Sequence, residues 1–359
     1  MLVQKTIKAK IFGLTTTKEA MLQQEYDCWQ SFLRGNQEVP LYSATKQQAG
    51  RLLRSLGRHF ERSRMYPMVL RNDCIRVEKA KDTIWSKWWF KVPVANLHGG
   101  LWCPVQIPDN QASLLDEGAI RECKLIRKGD HWSVHIVIQK DVPEAFLNPS
   151  QPILAVDLGE VRPATAVLLK DGRMTAHVMA TREVRGVRMH YNWLRQKLGE
   201  KKCLDTIRKI GRTERRQVDA RLHKLSKDIV QLAKDNDAVI VMGDLTGIRE
   251  RTKNKGRKFR AKIARMPSFR MAQFIEYKAN WAGVSVFSIN EAYTSRACHV
   301  CGSPGRRPHQ GLFLCDNCGS QYNADLNGAI NIGRRFLDQV FGNSGALDTP
   351  PNFGDVRPC

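Results

Sequence analysis

Cys298-His-Val-Cys301 is followed, after thirteen intervening residues, by Cys315-Asp-Asn-Cys318, and Tyr322-Asn323-Ala324-Asp325 comes almost directly behind. Two CxxC pairs at this separation place four thiolates on facing knuckles that can close a tetrahedron around a single structural Zn²⁺. A pair of disulfides, or unrelated core cysteines, is the competing reading. The spacing is that of a zinc ribbon, and the rest of the chain reads as intracellular, where disulfides are rare. Cys298, Cys301, Cys315 and Cys318 are therefore the expected zinc ligands. A ribbon stapled onto an aspartate-bearing helix start reads as a clip beside an active site.

Upstream of the ribbon the pattern is α/β. Ile153-Leu-Ala-Val-Asp157 is an apolar strand ending in an acid, and Leu158-Gly159 leads to a second strand over 165–169, turned by Lys170-Asp171-Gly172. A long basic helical region runs to about 233, followed by an apolar strand at 238–242, a helix over 269–281 and a strand over 284–289. A terminal helix over 324–341 follows the ribbon. Strand, hairpin strand, helix, parallel strand, helix, parallel strand, helix is the order of an RNase H-like sheet. In open α/β sheets, chemistry sits at strand ends.

Toward the N-terminus the periods differ. Residues 1–13 read as a strand and 17–66 as helices, with Ala20, Leu22, Tyr26, Trp29 and Phe32 at helical spacing. From 74 to 142 short alternating runs are separated by turn signals such as Lys128-Gly129-Asp130. A β-barrel with a helical insertion after its first strand accounts for both. Trp85, Trp88, Trp89 and Trp102 are expected in the barrel core or rim, ahead of a base-stacking role.

Lys plus Arg exceed Asp plus Glu by 58 − 35 = 23 in a chain of 359 residues. A surplus of that size points to a polyanionic partner. It is clustered: residues 249–270 carry ten basic side chains against Glu250 alone, and a second basic run covers 182–227. No signal peptide and no apolar run of transmembrane length is visible, so the expected location is cytoplasmic, nucleoid-associated, or nuclear in a eukaryote. Cys28, Cys74, Cys103, Cys123, Cys203 and Cys359 read as ordinary reduced thiols.

Several motifs carry a family resemblance. Ala155-Val-Asp157-Leu-Gly159, Leu245-Thr-Gly-Ile-Arg249, Tyr277-Lys-Ala, Tyr293-Thr-Ser with the first CxxC, and the second CxxC running into Asn323-Ala-Asp325-x-Asn327-x-Ala329-x-Asn331-Ile332 resemble the transposon-encoded TnpB proteins. These are relatives of type V CRISPR effectors and Fanzor nucleases. The motifs lie within 151–335, and over 1–150 the likeness rests on the order of elements. The resemblance implies an α+β multidomain protein: a wedge-like barrel (1–13 and 67–150) with an inserted helical recognition domain (14–66), a RuvC-like nuclease domain (151–297 and 319–340), the ribbon (298–318) and a flexible tail (341–359). It further implies a guide RNA from the transposon end, double-stranded target DNA cut next to a short adjacent motif, and no membrane.

In-line hydrolysis of a phosphodiester calls for two divalent cations about 3.5–4 Å apart. Hard Mg²⁺ ions require several carboxylates aimed at one point from separate elements. Asp157 and Asp325 supply two, each with a humbler alternative as a turn residue or a helix cap. The family's third acid, in the pattern Glu-Asp-Leu, is missing: Gly243-Asp244-Leu245 stands there. Asp244 points to the opposite face of its strand. Glu291, beyond the neighbouring parallel strand, is the expected replacement, so the catalytic and magnesium-binding set is Asp157, Glu291 and Asp325. Two alternatives to an active nuclease remain, a nuclease-dead RNA-guided repressor and an RNase H-like transposase.

Overall fold

The computed structural model describes residues 1–81, 85–143, 147–148, 150–245, 256, 266–291, 294–309, 311–341 and the backbone of 357–358. It divides into two compact units, Met1–Val142 and Pro143–Cys359.

In the first unit, β1 (Leu2–Ile11) buries Val3, Ile7, Ala9 and Ile11 on one face, the period of a half-buried strand. Two helices follow, α1 (Thr16–Leu33) and α2 (Ser43–Leu56). Thr15 caps α1 by accepting the Lys18 N–H, and Leu22, Tyr26, Trp29 and Leu33 form its buried stripe. Tyr26 meets Trp132 edge-on at 5.3 Å. Glu25, buried on the same helix, accepts the N–H groups of Tyr42 (2.9 Å) and Ala95 (2.8 Å), so it ties the helical insertion to a sheet loop.

The sheet comprises β1, β2 (Met68–Leu70), β3 (Arg76–Lys79), β4 (Trp88–Val92), β5 (Leu101–Gln106), β6 (Ala119–Lys128) and β7 (His131–Asp141), with short helices α3 (Asp109–Ala112) and α4 (Leu114–Glu117) between β5 and β6. Its order is β2-β6-β7-β1-β5-β4-β3. Among the described residues β2 and β3 are open edges, so the expected barrel reduces to a half-barrel sheet. β1 follows β7 from Leu2 to Lys10 but meets β5 only at Lys10 and Ile11, which opens the sheet at that seam. Of the four tryptophans expected in the core or at its rim, Trp85 alone departs from that expectation. Trp85 is 85% exposed and Trp88, Trp89 and Trp102 are half-buried, whereas Phe90, Trp29 and Trp132 fill the core.

The second unit is a three-layer sandwich. Its strands are β8 (Ile153–Asp157), β9 (Thr165–Lys170), β10 (Arg173–Met179), β11 (Val239–Gly243) and β12 (Val286–Ile289), preceded or separated by α5 (Glu183–Glu200), α6 (Leu204–Asp235) and α7 (Ser268–Ala282). The ribbon strands β13 (Gly305–Arg306), β14 (Leu312–Cys315) and β15 (Gln321–Asn323) precede α8 (Ala324–Phe341), and β16 (Arg357–Pro358) is the last element described. The sheet order is β10-β9-β8-β11-β12-β16; β8, β11 and β12 are parallel, and β9 and β10 are antiparallel.

Side chains alternate between two cores. Leu154, Val156, Ile240 and Met242 face α6 and α7, while Ile153, Ala155, Val239, Val241, Phe287 and Ile289 face α8. Both faces being covered explains why β8 and β11 are almost uninterruptedly apolar.

The hairpin strand β10 carries no strand signal of its own in the sequence. It is an edge strand with mostly exposed side chains, so it lacks an apolar period, yet Asp171 (φ 51°) and Gly172 (φ 72°) make the tight turn that pairs it with β9. The basic helical region is broken at Lys202, which has φ 56°. Most of the basic segment 249–270 and most of the tail lie outside the described residues. The backbone of β16, within the tail expected to be flexible, pairs antiparallel with β12. No helix among the described residues is long and apolar enough to cross a membrane.

Candidate active site and cysteine ribbon

Strand parity decides which side chains can meet. Ile153, Ala155 and therefore Asp157 share the α8 face of β8; Val239, Val241 and Gly243 share it on β11. Gly243 pairs in parallel register with Ile289, and the chain reaches Glu291 two residues further on. The Glu291 side chain turns back over β11: a Cβ on Gly243 would stand 2.8 Å from its Cδ, overlapping the carboxylate itself. Asp244 has the parity of Ile240 and Met242, toward α6 and α7.

α8 brings the third acid. Its N-terminal N–H groups need a cap, and Asn323 provides it, accepting the N–H groups of Asp325 (3.0 Å) and Leu326 (3.4 Å). Capping is thus accounted for without Asp325, whose carboxylate instead meets Arg162 at 3.3 Å. Gly328 lies one turn along. A Cβ there would come within 2.9 Å of Asp157 Oδ2, so the absence of a side chain lets the helix press onto the acid.

The three acids share one field. Asp157 is packed deep among protein atoms although part of its surface stays open. Burial first, then the charges of Glu291 and Asp325, push its pKa up to about 7, and Arg307 partly opposes them. A site where each acid raises the cost of ionising the next is one that a divalent cation would stabilise, and the all-oxygen donor set suits Mg²⁺. The acids stand less tightly gathered than the cysteines, the one group of potential metal ligands among the described residues whose donor atoms all lie within 4.8 Å of one another.

In that cysteine group, Cys298 Sγ lies 3.7 Å from Cys318 Sγ, and Cys301 Sγ lies 3.5 Å from Cys315 Sγ. Tetrahedral ligation with Zn–S near 2.3 Å requires sulfur separations of about 3.8 Å, so the donor set fits. Hydrogen bonding from the Ser303 backbone lowers the Cys301 thiol to about 6, and Ser320 lowers Cys318. At Cys315 backbone hydrogen bonds, that of Cys318 foremost, oppose burial and the neighbouring Cys301 and Cys318 sulfurs, which raise the thiol to about 11. These three thiols thus share their protons unevenly until a metal displaces them. The thiolate is the ligating form.

The knuckle is bolted to α8. Buried Asn327 accepts the His299 N–H at 2.9 Å and donates to the Ala297 carbonyl at 2.8 Å. Asn331 donates to the carbonyls of Thr294 and Ala297, Arg334 donates to that of His299, and Arg307 reaches the Ala324 carbonyl at 2.7 Å. Ribbon and Asp325 are therefore parts of one hydrogen-bonded assembly.

Arg162, Arg307 and Gly328 were not singled out from the sequence. The arginines carry no spacing signal among 58 basic residues, and Gly328 resembles any helical glycine. Of the motif residues, Tyr293 and 246–249 lie outside the described residues.

The family model for the Cas12f1-like TNB domain matches residues 269–332. A TnpB-like protein of Methanocaldococcus jannaschii is 29% identical over 228 residues, covering 59% of this chain and 81% of that protein. The CRISPR-associated endodeoxyribonuclease Cas12f2 of a Micrarchaeota archaeon is 30% identical over 202 residues, 52% of this chain and 37% of that protein. The Cas12f1 of Sulfoacidibacillus thermotolerans is 36% identical over 129 residues, 35% and 29% of the two chains. The matched stretches thus cover about a third of the length of those two Cas12f proteins. A Cas12f1 chain solved in complex with sgRNA and target DNA superposes with a TM-score of 0.53 at 13% identity, covering 88% of this chain and 81% of that one. The fold, an α+β architecture with a half-barrel sheet and a four-cysteine cluster, is that of the Cas12f group. In sequence the chain is similar both to TnpB-like proteins and to Cas12f proteins.

Proposed function

We propose that the chain is an RNA-guided DNA endonuclease of the TnpB type, with a RuvC-like site in which Glu291 replaces the acid absent at Gly243. The observation that carries this reading is the Glu291 carboxylate standing in the side-chain volume of position 243, next to Asp157. The sheet of the second unit supports an RNase H-like assignment, since antiparallel β10, β9 and β8 lead into parallel β11 and β12. The first unit then serves as the wedge with its recognition insertion.

Asp157, Glu291 and Asp325 would hold two Mg²⁺ ions, and the four cysteines one Zn²⁺. Divalent cations bound there supply Lewis-acid stabilisation of the phosphodiester in an in-line displacement. The chain's own share is positional. β8, β11 and the turn after β12 fix two acids from one sheet face, and the cap at Asn323 fixes the third. Arg162 and Arg307 keep positive charge at the rim, where a phosphate must approach. Guide RNA and double-stranded DNA are the proposed partners, in keeping with the net charge of +23 and with the complex in which the similar Cas12f1 was solved.

The test is purification with co-expressed transposon-end RNA, sequencing of that RNA, and assay of a plasmid library with randomised flanks in Mg²⁺. Guide-dependent cutting beside a fixed short motif is expected. Guide-dependent binding without cutting under any metal would make the protein a repressor, and RNA-independent DNA binding would favour a transposase.

A further inference from the structure

The half-barrel unit carries a cavity unrelated to the acids. It is a half-open groove of about 440 Å³, lined by Lys79, Lys87, Trp88, Ala112, Ser113 and Asp116. Its walls come from three places. Lys79 ends β3 and pairs in register with Trp88 on β4; Ala112 to Asp116 belong to α3, α4 and their junction. Ser86, buried, fixes the β4 entry by donating to the Trp88 carbonyl at 2.7 Å, so the tryptophan is held from its own backbone. Trp85, one position before that anchor, is 85% exposed. Exposing a whole indole is costly, because burying an aromatic side chain is normally worth a few kcal/mol.

The chemistry around the cavity is of three kinds in one small space. The lining contributes a half-buried indole, two ammonium groups, and an exposed hydroxyl and carboxylate from the α3–α4 junction and α4. Lys87 contacts Asp109 at 3.6 Å, but both side chains are largely exposed, so the pair exchanges readily with another anion. A nucleotide requires that combination: a flat face for its base, cations for its phosphate, and acceptors for the amino and imino hydrogens of its edge. A hydrophobic peptide would meet charge on two sides, and a free anion would meet Asp116.

We infer that this cavity binds one unpaired nucleotide of a single strand, its base on Trp88, its edge toward Ser113 and Asp116, its phosphates on Lys79 and Lys87, with Trp85 stacking on the neighbouring base. The inference rests on the reading of the chain as a nucleic-acid-binding protein. It is independent of the acids.

The full-length protein is mixed with single-stranded RNA, and separately single-stranded DNA, about 20 nucleotides long and carrying 5-iodopyrimidines, then irradiated and mapped by mass spectrometry. Adducts on Trp85 or Trp88 are expected with at least one strand type, and the arm that gives them identifies the source. Trp85→Ala, at an exposed position that does not threaten folding, should weaken binding of that probe by about fivefold or more. Lys79→Ala with Lys87→Ala should flatten the log–log salt slope by roughly 0.7 per lysine. A protein that cleaves DNA but gives no adduct at either tryptophan, with salt slope unchanged in the double variant, overturns the pocket and leaves the nuclease standing. Adducts there on a protein that never cleaves support the pocket and count against the nuclease.

Discussion

The carboxylate of Glu291 fills the volume that a side chain on Gly243 would need. Glu291 Cδ and Cβ lie 2.8 and 3.1 Å from where the Gly243 Cβ would be. Gly243 is not among the glycines with positive φ. Its backbone is therefore open to any residue, and only the incoming glutamate makes glycine fit.

This relationship makes the two positions exchangeable. Glu291→Ala should lower Mg²⁺-dependent cleavage at least about 10²-fold, since even losing a residue that merely supports a metal ligand costs 10–100-fold. Gly243→Glu in the wild-type background should also impair the enzyme, because two carboxylates then compete for one volume. Combined, the two changes should recover part of the activity. Asp244→Ala, on the opposite face, should be mild. Cleavage by Glu291→Ala at the wild-type rate would show Glu291 to be a loop acid only.

The site was legible where a period or a fixed spacing encodes it. The CxxC pairs, the acid after the β8 apolar run and the parity of Asp244 follow from spacing alone, and the topology placed Glu291 beside Gly243. What escaped depends on packing in three dimensions. β10 has no apolar period because it is a solvated edge, and the half-barrel opens because β1 leaves β5 after two residues. Arg162 meets Asp325 across 163 positions of chain, and no local pattern announces such a pair.

The elevated pKa of Asp157 has a sign that can be checked. In the folded protein it titrates near 7, above its ordinary value of 3.8, so the folded state holds a proton that the unfolded state releases between those values. Without divalent cation, stability should therefore fall as pH rises from about 4 through about 7. Asp157→Asn should leave Tm unchanged at about pH 4 and raise it at about pH 8, each kcal/mol appearing as about 2–4 °C for a unit of this size. Added Mg²⁺ should reverse the wild-type loss. Equal Tm for the two proteins at every pH would exclude the repulsive cluster.

The ribbon should purify with about one zinc per chain and lose it in Cys315→Ser. Asn327→Ala offers a finer test, because Asn327 touches the knuckle without being a ligand. It leaves the half-buried His299 N–H without its partner, a cost toward the low end of about 1–3 kcal/mol. Zinc content should stay near one, while hydrogen exchange speeds up both at His299 and at the Asp325 helix start. Faster exchange at the knuckle alone would mean that ribbon and acid are not coupled.

Gly328 supplies the sharpest test of how α8 and the acids fit together. A glycine inside a helix ordinarily costs about 1 kcal/mol relative to alanine, so Gly328→Ala should stabilise if propensity alone mattered. Its Cβ would, however, stand 2.9 Å from Asp157 Oδ2 and 3.4 Å from Cγ, and must push either the helix or the carboxylate. Gly328→Ala alone should therefore gain little or lose stability, and cleavage should drop about tenfold or more because a displacement near 1 Å at a catalytic group is expensive. In the Asp157→Ala background the obstacle is gone, and the same change should stabilise by the full helix-propensity amount. The resulting cycle should show a coupling of about 1 kcal/mol or more between the two positions. Additive effects within about 0.3–0.5 kcal/mol would mean that Gly328 does not bear on Asp157 and that the close approach is unimportant to the site.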